Sequence, residues 1–149
     1  LRVDKMTYAA IEATLRLYER GVANREVPVI RAIAATRDEL AKRAARFRDS
    51  IATVTNGRLK TSIEDGDSVI GGGSAPEVKL STVLVTLEHA QMSAASLEQR
   101  LRGHRIPVIA RTERDRVVID LRTVAAEEES IILDAIAVLE GGATVSAAG

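Results

Sequence analysis

Residues 106–124 read IPVIARTERDRVVIDLRTV, and the pattern within them decides the fold. Two apolar, β-branched runs, 106–112 and 116–121, flank the polar triplet Glu113, Arg114 and Asp115, which is the signature of two strands joined by a tight turn. A hairpin sets its strands antiparallel. Upstream, residues 81–88 carry Val83, Leu84, Val85 and Leu87 and give the strongest strand signal in the chain. Residues 59–63 read as a modest strand that ends in a turn at Asp65, Gly66 and Asp67.

Helical segments surround these strands. Ser93 caps an expected helix over 94–102, and a last helix over about 125–139 carries Glu127, Glu128 and Glu129 near its start, where they complement the helix dipole. Its core face is Ile132, Ala135, Ile136 and Leu139, and Gly141 and Gly142 stop it. Thr36 and Glu39 form a capping box that opens a helix over about 37–52 with Leu40, Ala44, Phe47 and Ile51 inward. Pro28 suits the first turn of a short helix over 29–34, after a polar connection at 19–27. The order of elements predicts an α+β fold in which helices pack on a small, mainly antiparallel sheet. The tail at 143–149 is expected to fray.

The first helix stands apart. Residues 1–18, LRVDKMTYAAIEATLRLY, begin without an initiator methionine and carry two apolar stripes, Met6-Ala10-Ala13-Leu17 and Tyr8-Ile11-Leu15-Tyr18. A surface helix of a small domain needs only one such stripe. The expectation is an interdomain helix over 1–20, followed by a small domain over 21–142.

At 149 residues, the chain holds one domain with a core. Lys plus Arg and Asp plus Glu number 21 each, so the formal charge is zero, which argues against a strong nonspecific grip on nucleic acid or membrane by this segment. Without cysteine there is no disulfide framework, thiolate metal site or cysteine nucleophile. Tyr8, Tyr18 and Phe47, the three aromatics, all fall on expected helices rather than on a base-stacking sheet. No apolar run is long enough to span a bilayer, and a cytoplasmic location is expected.

Four features invite a chemical reading. Gly71, Gly72, Gly73 and Ser74 offer backbone amides to an anion, yet they lack dinucleotide or Walker spacing, and the ordinary use of glycine favours a tight turn or an interdomain contact. Arg111 and Arg122 sit near the ends of neighbouring expected strands; together they suit carboxylate or phosphate recognition, and separately they suit surface ion pairs with Glu113, Asp115 or Asp120. Arg2 and Lys5 open the first helix, where a lysine beside apolar residues suits either a Schiff base or a solvated partner of Asp4. His89 and His104 lie at element ends and read as surface residues.

The segments LRVDKMTYAAIEATLRLY, EVPVIRAIAAT, VIGGGSAP and IPVIARTERDRVVIDLRTV, taken in order, resemble the C-terminal part of the bacterial selenocysteine synthases, the L-seryl-tRNA(Sec) selenium transferases. The resemblance covers nearly the whole chain; it departs mildly at Ala75-Pro76, where the family has Leu-Pro. It implies the small domain of a fold-type-I enzyme whose pyridoxal 5'-phosphate sits on a lysine of a large domain upstream, so Lys5 is not that lysine. It implies conversion of seryl-tRNA(Sec) to selenocysteinyl-tRNA(Sec) with selenophosphate, in a ring-shaped homo-oligomer. Arg2 matches a family arginine that lines the active site and helps bind the anionic selenium donor. Arg111 and Arg122 match motif positions, and their part in anion binding is an extension of the resemblance. Two other readings stand beside it: the small domain of a related pyridoxal-phosphate ammonia-lyase, and a non-catalytic folding or oligomerisation module.

Overall fold

The computed structural model describes residues 2–70, 78–139 and 141. The glycine-rich loop (Gly71, Gly72, Gly73, Ser74) and the tail at 143–149 lie outside the described residues. The chain divides into two compact units, 1–35 and 36–149.

The first unit holds three helices. In α1 (Lys5–Glu19), the Asp4 carboxylate caps the free amide of Thr7 at 2.9 Å and takes the Thr7 hydroxyl as well. Gly21, at φ +68°, ends the helix: its N–H reaches the Tyr18 carbonyl (3.0 Å) and that of Val22 reaches Leu17 (3.1 Å), a Schellman closure. No residue of α1 is buried. The connection expected at 19–27 contains a further short helix, α2 (Ala23–Glu26), and α3 (Pro28–Ala34) starts on its proline.

The second unit runs α4 (Arg37–Val54), β1 (Leu59–Val69), β2 (Lys79–His89), α5 (Ala94–Arg102), β3 (Arg111–Glu113), β4 (Arg116–Asp120), two 3-10 turns at Leu121–Thr123 and Ala126–Glu128, and α6 (Glu129–Leu139). The strands form one sheet in the order β1-β2-β4-β3, antiparallel at every pairing. This is the α+β architecture that the sequence predicts. The capping box of Thr36 and Glu39 is present, as is the Ser93 cap of α5.

Several boundaries differ from expectation. No turn forms at Asp65–Asp67; β1 continues to Val69 and pairs along its eleven residues with β2. The expected strand at 106–112 shrinks to Arg111–Glu113. Pro107 has no N–H for a ladder, and the N–H of Val108 is taken by the Leu101 carbonyl at the end of α5 (3.1 Å), so the segment peels away from β4. The hairpin turn is the pair Arg114 and Asp115, at φ +51° and +56°, the left-handed pair that a two-residue connection requires. A 3-10 turn precedes α6, where the Glu128 carboxylate takes the Ala125 N–H (2.7 Å).

Strand alternation gives the sheet two unlike faces. Val83, Val85, Leu87, Val117 and Ile119 share one face and are buried with Leu40, Phe47 and Ile51 of α4, Leu97 and Leu101 of α5, and Ile136 of α6. The opposite face carries Thr82, Leu84 and Thr86 of β2, Val118 and Asp120 of β4, and Glu64, Gly66 and Ser68 of β1. Gly66 is required here: a Cβ at this position would stand 2.8 Å from Leu84 Cγ. Gly66→Ala should therefore cost about 1–3 kcal/mol. In a Leu84→Ala background the same change should cost at least about 1 kcal/mol less, which urea unfolding of the four variants of the cycle would measure.

Candidate functional site

The second face ends in a polar node. Asp120, the last residue of β4, takes the Thr82 hydroxyl (2.9 Å) and the backbone N–H of Arg122 (3.0 Å) on Oδ1, and the Ser68 hydroxyl on Oδ2. The donors come from β2, the turn after β4, and β1. Thr82, Ser68 and Arg122 are all buried. The Arg122 side chain crosses toward β2, where Nη2 donates to the Ser81 carbonyl (2.7 Å). From the other side, Arg43 of α4 donates to the carbonyls of Leu121 and Val124 (3.0 Å each) and to Glu129 (2.8 Å). The link from β4 to α6 is thus held between two polar clamps.

Beside the node lies a cleft of about 300 Å³. It exists because 108–110 peel away from β4. Ser68 and Asp120 line it, Val108, Val118 and Ile132 supply apolar wall, and Arg111 is part of its lining.

The structure separates the two strand-end arginines that the sequence places near one another. Arg111, on β3, is exposed and pairs with Glu113 of its own strand (2.9 Å). Arg122 reaches the other flank of β4, toward β2. Arg2 is exposed just before the Asp4 cap, and Lys5 opens α1 in solvent. His104 corrects the surface reading: its side chain is 8% exposed and meets Asp134 of α6 through Nε2 (3.3 Å) and the Ile106 carbonyl through Nδ1 (3.1 Å). His89 accepts the Gln91 N–H on Nδ1 (3.0 Å). Among the described residues no cluster of His, Asp and Glu has the geometry of a metal site.

Ser68, Thr82 and Arg43 escape a reading of the sequence, which offers Asp120 only as a surface ion-pair partner of the arginines. The one local signal is Asp120 placed two residues before Arg122, a spacing at which an aspartate binds the backbone ahead of it. The other partners are 38 to 52 residues away in the chain, and only the sheet order brings them in.

At the opposite end of this face, Arg116 of β4 donates to both oxygens of Glu64 of β1, with Nη2 at 3.0 Å from Oε2. The hydrogen bonds from Arg116 hold the Glu64 carboxyl below its ordinary value of 4.5 and raise the Arg116 guanidinium further. A depressed carboxyl stabilises the fold above its unfolded pKa and loses that contribution as pH falls through the folded value. Wild type should therefore lose stability below about pH 4.5, whereas Glu64→Gln should start lower at pH 7 and show a flatter acid limb, the two curves converging in urea titrations as pH falls through the folded value of Glu64. At the node, Asp120→Ala strands three donors and should cost about 3 kcal/mol or more, whereas Asp120→Asn, which preserves the shape, should cost about 1 kcal/mol. Calorimetry of both variants tests this.

The chain matches the family model described as SelA, L-seryl-tRNA selenium transferase, over residues 1–125. It is 41% identical over 136 residues to the L-seryl-tRNA(Sec) selenium transferase of Desulfomicrobium baculatum, covering 91% of this chain and 29% of that protein. Against the enzyme of the same name from Nitratidesulfovibrio vulgaris it is 43% identical over 126 residues, 83% of this chain and 26% of that protein. Against the one from Alkaliphilus metalliredigens it is 36% identical over 137 residues, 91% and 29%. The chain spans less than a third of the length of these curated relatives. On the strength of this match, which takes in α1 and the whole sheet, the chain belongs to the L-seryl-tRNA selenium transferase family.

Proposed function

We propose that this chain is the C-terminal small domain of a cytoplasmic, fold-type-I, pyridoxal-phosphate-dependent transferase that converts seryl-tRNA(Sec) to selenocysteinyl-tRNA(Sec) with selenophosphate. The observation that carries the reading is the family match over 1–125, with relatives of that name aligned over nine-tenths of the chain. The small α+β unit with its antiparallel sheet agrees with such a role. Among the described residues no helix is long and apolar enough to cross a membrane.

The residues present do not form a pyridoxal site by themselves. Lys5 and Lys42 are exposed, Lys60 is engaged with Glu88 (3.0 Å), Lys79 lies near Asp67 (3.8 Å), and no lysine lines the cleft at the sheet end. The cofactor lysine is assigned to a part of the enzyme outside residues 1–149, and the contribution of this chain is to bind and orient. Arg2 binds the anionic selenium donor, since a guanidinium keeps its charge at working pH and matches phosphate oxygens with a planar fork. Within the second unit, buried Arg122 and exposed Arg111, on opposite flanks of β4, are read as further anion-binding groups.

The segment 1–20 serves as the interdomain helix and 21–142 as the small domain. α1 exposes Met6, Tyr8 and Leu15 on its two stripes, at 79%, 62% and 57%, more apolar surface than one helix of a finished assembly leaves in water. The preceding domain covers one stripe and a neighbouring subunit of a homo-oligomer covers the other.

A chimera tests the assignment. Residues 1–149 replace the matching segment of the Desulfomicrobium baculatum enzyme, and selenocysteinyl-tRNA(Sec) formation is measured. Activity within about tenfold of the parent is expected; a chimera that folds and assembles like the parent yet makes no product would refute the proposal. Arg2→Ala in the chimera should raise the half-saturating selenophosphate concentration by about tenfold or more, the worth of one charge-assisted hydrogen bond.

A further inference from the structure

We infer that Asp120 is a positioning residue for Arg122, and that through Arg122 it sets the affinity of this domain for an oxyanion. The inference rests on the reading of Arg122 as an anion-binding group.

Three observations carry it. The backbone N–H of Arg122 is bound by Asp120 Oδ1 (3.0 Å), and the Arg122 guanidinium is bound by the Ser81 carbonyl (2.7 Å). Thr82, the residue next to Ser81, gives its hydroxyl to the same Asp120 oxygen (2.9 Å). Both ends of Arg122 are therefore referred to a single step of β2, its backbone through Asp120 and its side chain directly. Ser68, on the second oxygen, brings the end of β1 into the same frame.

The residue type is what this task demands. Three donors converge, and a carboxylate accepts from all of them without offering a hydrogen of its own. A glutamate would be one methylene too long for the distances observed. Nothing in the arrangement calls for Asp120 to touch substrate: Oδ1 already holds two donors and Oδ2 holds one. What it supplies is pre-organisation. An arginine whose backbone and guanidinium are already fixed loses little side-chain freedom when an oxyanion binds. Arg43, holding the carbonyls of Leu121 and Val124, fixes the flanks of the same turn but makes no contact that aims the Arg122 side chain.

A positioning role predicts a split between binding and turnover. In the chimeric transferase, Asp120→Asn should raise the half-saturating selenophosphate concentration about tenfold while kcat stays within about threefold. Ser68→Ala, which keeps the carboxylate and removes one donor, should raise it about twofold to threefold and provides a variant with a milder effect on folding. In the 149-residue chain, Asp120→Asn should accelerate hydrogen exchange of the Arg122 amide about tenfold, while the amides of Val85 and Val117 in the core strands keep their protection. Arg122→Ala is the control. If it raises the half-saturating concentration and Asp120→Asn does not, the positioning role is overturned and the anion site stands. If Arg122→Ala leaves that concentration unchanged, both fall. A loss confined to kcat in Asp120→Asn, or exchange that quickens equally at Val85 and Val117, also overturns the inference.

Discussion

β2 must be covered on both faces, and the helices cover only one. Thr82, Val83, Leu84, Val85, Thr86 and Leu87 are all buried. On the apolar face, α4 and α5 do the covering in the ordinary way, and hydrophobic burial supplies the driving force. On the other face, the neighbouring strands fold their own side chains over the centre. Arg116 reaches across to Glu64, Asp120 gathers Thr82 and Ser68, and Leu84 leans over Gly66. Because that face is buried by polar side chains, each of its donors and acceptors needs a partner. The network around Asp120 is the consequence.

The same requirement shapes the link from β4 to α6. Residues 121–128 form two short 3-10 turns, whose backbone groups are only partly satisfied within the segment. Arg43 takes two of the carbonyls, Asp120 takes the N–H of Arg122, and Glu128 takes that of Ala125. Arg122 acquires a fixed position as a by-product of this accounting.

The peeled segment before β3 works the other way. A proline at 107 and an amide committed to Leu101 leave the β4 edge uncovered and open a cleft. That cleft puts Arg111 and Asp120 in a common lining, although Arg111 pairs with Glu113 and Arg122 turns to the opposite flank of β4. Proximity in the hairpin pattern suggested convergence of the two arginines; the handedness of side-chain alternation and the sheet order separated them.

The sequence by itself determined the elements that rest on local chemistry. Thr36 with Glu39, and Ser93, mark helix ends through hydrogen bonds made within a few residues, and the structure places them there. The four strands, the α+β class and the family were legible for the same reason, since periodicity and motif order are local or linear properties. Strand lengths were not, because β1 continues through Asp65-Gly66-Asp67 only when an equally long β2 lies beside it. The half-buried His104, the Asp120 node and the Arg43 clamp were not legible either. Each joins groups that are 30 to 86 residues apart, and no spacing rule reaches that far. Tertiary structure decided them, because a buried polar group takes whatever partner the fold brings within hydrogen-bonding distance.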